Sequence, residues 1–430
     1  MTLSTTSNQR WSFGKRLRVL MSVYFVFLFL DFTSEDELFP HFVYVAMKFY
    51  TNFWNWLVPW TGRNILHLSY PTTVTPNGSG DTTYNYVMQL LWIVFTVIIA
   101  VIWAVADRRR PNYEKFYYWA IICVRYFLAY MLFVYGFVKV IKLQFPFPDL
   151  IRLTEPYGES SPMGLAWTFV GYSAGYNIFI GGAEVVAGIL LFFKRTTLLG
   201  SLIAMTVMCN VVAMNFAYDI PVKIFSLNLL FMACWIAWID KDRLVSFFIL
   251  HNALTENPKQ PIFKTKWKRV IQLSMKTIVI LFAFYATLWS NLNMAKKYGD
   301  AVKKPPLYGI YDIKTFTKNN NIIAPLTTDS ARWKRIIINY PGYVRITNMT
   351  DSSIWMKLKV DELRQTLHFT SNKDSTDAFV LKYKRDHKML YLTGRMRGDS
   401  VKIQTLIFDH KKFPLVSRGF HWINEYPNNR

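Results

Sequence analysis

The chain is poor in the residues that carry redox and metal chemistry. It has three cysteines, Cys123, Cys209 and Cys234, all within apolar runs, and no CxxC. That speaks against a disulfide framework and against thioredoxin-type exchange. Its seven histidines are scattered, with no HExxH and no ligand-like cluster, so no metal site follows from them. Charge is also scarce. Only 18% of residues are charged, where soluble domains carry about 25%. Acidic residues are scarcer still, at 27 against 50 lysines and arginines, which leaves a formal charge of +23. In a soluble protein such an excess would suggest nucleic acid. No recognition motif accompanies it, so nucleic acid is not an expected partner. Cytoplasmic loops and a basic extramembrane domain facing anionic lipid account for it better.

Apolar residues take the place of charge. The chain is 52% hydrophobic and 17% aromatic, and several apolar runs of roughly 18 to 22 residues are membrane-helix candidates. The polar start carries Arg10, Lys15, Arg16 and Arg18, and the run Val19 to Leu30 follows. The next stretch, "DFTSEDELFP", offers no small-residue cleavage site, so a retained first span is expected rather than a signal peptide. Six more spans are readable, at Tyr86–Ala106, Phe116–Phe137, Tyr176–Phe193, Thr196–Tyr218, Val222–Ile239 and Val270–Trp289. Segment 41–60 is apolar and rich in Trp and Tyr, but it carries His41, Lys48, Asn52 and Asn55. That mixture favours an interfacial helix.

Basic residues set the orientation. With seven spans and a cytoplasmic N-terminus, the cytoplasmic side collects the N-tail, "DRRRPNYEK", Lys194–Arg195 and the stretch from Lys241 to Arg269. The opposite loops hold only Lys48, Arg63, Lys139, Lys142, Arg152 and Lys223. This obeys the positive-inside rule. A span at 41–60 would put "DRRRPNYEK" on the wrong side. The C-terminal domain then falls outside, which in a bacterium is the periplasm.

From about Ala301 the pattern changes to period two, in "RWKRIIINYPGYVRITNM", "IWMKLKV", "QTLHFT", "AFVLKYKRDHKMLYLTG" and "SVKIQTLIFD". Short strands with turns at "KRDHK" and "RGD" predict a small antiparallel barrel or sandwich. The tail "FPLVSRGFHWINEYPNNR" is dense in aromatics for a chain end and looks built to dock. Four regions are therefore expected: 1–115, N-terminal spans with an outer loop and interfacial helix; 116–240, four spans; 241–299, a cytoplasmic loop and last span; and 300–430, the β domain with its tail.

Charges inside the spans are the candidate site. Intramembrane charges are costly, face the bundle interior and pair. Glu184 lies ten residues before Lys194, and Arg125 ten residues after Lys115. On that matched depth, Arg125–Glu184 is the leading expected ion pair. Gly181 and Gly188 share the face of Glu184, and with Gly136 they mark close helix packing. Nearer the outer surface, Lys139 is expected to pair with Asp219, with Asn215, Asn177, Asn210 and Tyr135 at similar depth. Two readings stay open for these charges: a structural pair that fixes helix register, or a ligand or proton-handling site. Asn210 and Asn215 are expected to make interhelical hydrogen bonds, and Lys276 to snorkel. The loop "TPNGSGDTTY" (75–84) offers glycine freedom and side-chain oxygens. Asn77 and Asn348 match the N-glycosylation pattern.

At Arg125, "YGFVK" and "GGAEVVAGILLF" the sequence resembles the DoxX-like family of four-helix membrane proteins. The resemblance covers about residues 116–240. It matches an early arginine (Arg125), a Gly-x-x-Lys (Gly136 to Lys139) and a glycine-flanked glutamate (Gly181, Glu184, Gly188). The whole chain resembles a long bacterial member of the Bacteroidetes type, which implies the cytoplasmic (inner) membrane. Founding members of that family are similar to membrane subunits of quinone-linked sulfur oxidation, so the cofactor that the resemblance implies is a quinone; the residues themselves fix none. The extra spans and the β domain depart from the four-helix pattern, and the missing CxxC departs from thiol-to-quinone chemistry. Two functions are expected as alternatives. One is a scaffold or accessory subunit that holds a protein partner through the β domain. The other is a quinone- or lipid-binding oxidoreductase subunit using Arg125, Lys139 and Glu184. No repeat or broken-helix pattern points to a transporter.

Overall fold

The long apolar runs fold as helices because a backbone in lipid must satisfy its own hydrogen bonds. The computed structural model describes residues 11–35, 41–74, 80–252, 266–300, 302–372, 374 and 376–426. The chain forms two compact units, one of Met1–Phe145 with Pro162–Ala295 and one of Pro146–Ser161 with Lys296–Arg430.

The first unit is helical. Its elements are α1 (Phe13–Leu20), α2 (Tyr24–Glu35), α3 (His41–Asn64), α4 (Thr83–Ala106) and α5 (Glu114–Val140). After α6 (Leu150–Thr154), which belongs to the second unit, come α7 (Pro162–Tyr172), α8 (Ala174–Phe192), α9 (Thr197–Ala217), α10 (Lys223–Trp238), α11 (Lys241–Phe248) and α12 (Lys266–Ala295). Polar residues start several of them. Ser12 caps α1, Thr82 and Asn85 form a capping box on α4, and Ser173 caps α8.

Five helices are long and apolar enough to cross a membrane: α4, α5, α8, α9 and the Leu273–Ala295 part of α12. α10 and α11 pass that test only together, and they are bent by 74°. The expected first span is broken. A 3₁₀ turn at Met21–Val23 separates α1 from α2, and the Ser22 hydroxyl donates to the Val19 carbonyl. Such back-bonding from serine competes with the helical ladder. α3 is 24 residues long with Pro59 inside it, and it is not among the five. It packs on α2 and α4, where Trp54 is buried against Trp92 and Phe95.

α5, α8, α9 and α10 pack in a ring, each on the next, and α12 lies against α5. The core follows α5, whose Leu128, Ala129, Met131, Leu132 and Phe133 are all buried. Outward faces stay apolar, as on α4 at Ile93, Val97, Ile98, Val101 and Ile102. A contiguous exposed apolar surface of this kind fits a lipid bilayer.

The second unit is an antiparallel β-barrel. Its strands are β1 (Gly309–Lys318), β2 (Asn321–Ile322), β3 (Trp333–Ile338), β4 (Tyr343–Asn348), β5 (Ser353–Asp361), β6 (Thr366–Ser371), β7 (Ala378–Asp386), β8 (Met389–Met396) and β9 (Asp399–Phe408). β1 pairs with both β3 and β9, so eight strands close on themselves in an up-and-down order. The two-residue β2 is an appendage on β1. Closure leaves no open edge. Period-two burial places Phe316, Trp333, Phe369 and Phe379 inside, where their rings touch. Side chains fill an eight-stranded barrel of this size. The "RGD" turn works because Gly398 adopts φ +91° between β8 and β9, and "KRDHK" turns at His387.

Residues 146–161 also belong to this unit. Leu150 packs on Ile310 and Ile337. Asp149 caps α6 and accepts from Asn339 (3.1 Å) and from the Tyr340 hydroxyl. The β unit therefore starts at Lys296 and includes an earlier loop, where the alternating pattern alone pointed to 300–430. After α13 (Pro414–Ser417) the tail leaves Phe420, Trp422, Ile423 and Tyr426 exposed.

Candidate functional site: a buried ion pair between α5 and α8

Glycine sets the α5–α8 contact. A Cβ on Gly181 would stand 2.6 Å from the Gly136 carbonyl oxygen and 2.8 Å from the Lys139 Cβ. One on Gly136 would meet Val185 at 2.7 Å, and one on Gly188 would meet Phe133 at 2.8 Å. The backbones thus approach as only small residues permit. These contacts fix an antiparallel register in which Gly136 faces Gly181 and Val185.

That register brings Lys139 to Glu184. A helical side chain tilts toward its own N-terminus, so Lys139 reaches back over the preceding turn. Its Nζ donates to Glu184 Oε1 (2.9 Å), to Oε2 (2.8 Å) and to the Tyr135 carbonyl (3.3 Å). Both side chains are almost fully buried, at 6% and 2% exposed. The Lys139 ammonium also sits 5.5 Å from the Tyr135 ring centroid, and that ring leans on Phe225 of α10.

Both expected pairings are therefore corrected. Arg125 does not meet Glu184. It donates to Thr197 Oγ1 (3.2 Å) and lies over Tyr126. The depth match failed because the two helix ends are not level: Tyr126 already packs on Phe192, the last residue of α8, so α5 runs on past it toward Lys115 and equal counts from Lys115 and Lys194 do not give equal levels. Arg125 precedes Tyr135 by ten residues, about 15 Å along the axis. Nor does Lys139 meet Asp219. Asp219 is exposed and pairs with Lys223, four residues on, at 2.9 Å.

The amides act locally. Asn215 donates to Ser226 Oγ of α10 (3.0 Å), an interhelical bond as expected. Asn210 is exposed on α9 and makes no such bond among the described residues. Asn177 donates to the carbonyls of Val170 (2.7 Å) and Ser173 (3.0 Å), which ties α7 to α8. In the loop 75–84, residues 75–79, Asn77 included, lie outside the described residues. Asp81 of that loop accepts from the backbone N–H groups of Lys223 (2.7 Å) and Ile224 (3.1 Å). It stands in for a missing cap at the start of α10, where a negative charge also suits the helix dipole. Asp81→Ala is expected to cost about 1 kcal/mol, read as a lower thermal midpoint of the purified protein, with Asp81→Asn close to wild type. Equal midpoints for all three proteins would mean that Asp81 does not cap α10.

A protein of Bacillus subtilis (strain 168), named "Uncharacterized protein YwoB", is 37% identical over 126 residues, which are 29% of this chain and 79% of that protein. The chain belongs to the YwoB family. No family model and no solved structure matches it. Most of this YwoB-family chain lies outside the matched stretch.

One polar cluster escaped sequence reasoning. The Tyr24 hydroxyl donates to Asn228 Oδ1, Gln89 Nε2 donates to Tyr24, and Asn228 Nδ2 donates to Gln89 Oε1 (3.4 Å). It joins α2, α4 and α10 of the YwoB-family chain. Lone amides within apolar runs were the available signal, and Gln89 and Asn228 carry it as plainly as Asn215 does. Among the described residues no group of three His, Cys, Asp or Glu could hold a metal.

Proposed function

We propose that the protein is a membrane scaffold or accessory subunit, anchored by its helices and presenting its β-barrel to a protein partner. The observation that carries this reading is the closure of Lys139 onto Glu184. The charges that would serve a ligand bond each other at the tightest helix contact, and Arg125 lies about 15 Å along α5 from the Tyr135 turn that holds the ammonium. Buried pairs of this kind fix register and partner choice among helices.

Seven spans belong to this proposal: α1–α2 as a broken first one, then α4, α5, α8, α9, α10 and α12. Residues 146–161 fold onto the barrel that begins at residue 309. The chain then leaves the membrane on one side after α5 and after α12, which requires an even number of crossings between. α8, α9, α10 and α12 supply four, with α11 turned aside. α5, α8, α9 and α10 are the DoxX-like bundle of this proposal. The excess of basic residues in "DRRRPNYEK" and at Lys194–Arg195 supports a cytoplasmic N-terminus and a barrel outside, in the periplasm of a bacterial inner-membrane protein.

Purification of the intact protein from its own membrane in mild detergent tests this. A stoichiometric protein partner, cross-linked to barrel residues, is the expected result. A stoichiometric quinone by mass spectrometry, or a haem in the visible spectrum, with no protein partner, overturns it.

A further inference from the structure

We propose that Arg125, Lys194, Lys276 and Thr197 form a site for the phosphate of an anionic phospholipid. Three cations converge on the turn between α8 and α9. Arg125 is 8% exposed, gives Nη1 to Thr197 Oγ1 (3.2 Å), and keeps a buried Nε that bonds nothing among the described residues. The Lys276 Nζ stands 4.7 Å from the ring centroid of Phe193, the neighbour of Lys194. Phe133 and Phe137 of α5 pack on Phe284 of α12. The same eight-residue step back from Phe133 and Phe284 reaches Arg125 and Lys276. Desolvation first, and then the like charges of Arg125 and Lys276, bring the Lys194 ammonium down to about 8.

No carboxylate of the described residues acts on any of the three cations. Elsewhere in this unit the buried Lys139 has an acid, and the buried Arg16 a backbone carbonyl, that of Arg108 (3.1 Å). Three unneutralised cations beside the α8–α9 turn repel one another, and an anion there removes that cost. Phosphate suits the set. A guanidinium with an unbonded Nε–H can donate to its oxygens, and two ammoniums and a hydroxyl complete the shell. Basic pockets between membrane helices hold anionic head groups. A lipid is favoured over free phosphate by the apolar wall beside the turn, where Ile189, Phe193 and Leu199 are exposed for acyl chains to cover. This site is independent of the scaffold proposal, since none of its residues belongs to the Lys139–Glu184 pair.

The test uses the intact protein, stripped of lipid in detergent and titrated under native mass spectrometry. The probes are phosphatidylglycerol, phosphatidylcholine and inorganic phosphate. Wild type is expected to bind one phosphatidylglycerol at least about tenfold more tightly than phosphatidylcholine. Arg125→Gln is expected to abolish that preference. Because Arg125 is buried and that variant can fail to fold, the exposed-side double variant Lys194→Gln/Lys276→Gln decides, with an expected loss of about tenfold. Equal binding of the two lipids by wild type overturns the proposal, and so does an unchanged preference in the double variant. Saturation by inorganic phosphate without preference between lipids also overturns the assignment to a lipid.

Discussion

Lys139→Ala is expected to destabilise the helical unit by about 3–5 kcal/mol, the usual cost of leaving one member of a buried ion pair without its partner. Glu184, with 2% of its side chain exposed, would lose the ammonium that donates to both of its oxygens. Glu184→Ala should cost a similar amount. Glu184→Gln should cost less, because the amide oxygen still accepts from Lys139. The informative experiment is the pair of replacements made together. Two charges in a low-dielectric interior are offset only by each other, and swapping a buried pair for apolar side chains of similar volume is often neutral. Lys139→Met/Glu184→Met should therefore recover most of the loss, measured as resistance of helical circular dichroism to denaturing detergent. If the pair only holds α5 to α8, the double variant also keeps its partner protein on purification. A double variant as stable as wild type that no longer retains the partner or any bound molecule would show that the charges serve a ligand, and the scaffold proposal would fall. Glu184→Gln separates the same two roles on a smaller scale: it should lower yield more than it alters any pH-dependent activity.

Patterning carries burial better than it carries partners. The period-3.6 and period-2 stretches were legible, because they are set by which faces are buried. A barrel was one of two expected forms for the β region, and the pairing of β1 with β9 selects it. That pairing joins residues 83 to 98 apart, from Lys318 with Val401 to Ile310 with Phe408, and no local signal specifies it. Membership of residues 146–161 in the β unit was hidden for the same reason, since Asp149 and Asn339 meet across 190 residues. Within the spans, the identity of the buried charges was legible from their cost in lipid. Their pairing was not. Counting from helix ends assumes that the ends are level, and α5 starts twelve residues before the Tyr126 that meets the end of α8. Glycine positions held the missing information, because Gly136 and Gly181 mark where the backbones touch and so set the register.

Gly181→Val should be at least as damaging as loss of the ion pair. The new Cβ alone would stand 2.6 Å from the Gly136 carbonyl oxygen and 2.9 Å from the Val140 nitrogen. Both are backbone atoms, so no rotamer change relieves the clash, and α5 and α8 must move apart. Overpacking of a tight core costs about 1–3 kcal/mol where side chains can yield. Here the separation also lengthens the 2.8 Å contact between Lys139 and Glu184, which adds part of the penalty of an unpaired charge. Gly182→Ala is the matched control on the same helix. Nothing lies within 4 Å of its Cβ position, and alanine favours a helix over glycine by about 1 kcal/mol. That variant should equal or exceed wild type. The two residues are adjacent and equally apolar, so propensity or hydropathy changes alone would move both variants in the same direction. Only the packing register separates them. A Gly181→Val protein as stable as Gly182→Ala would mean that α5 and α8 do not meet at Gly136, and the geometric basis for pairing Lys139 with Glu184 would be lost with it.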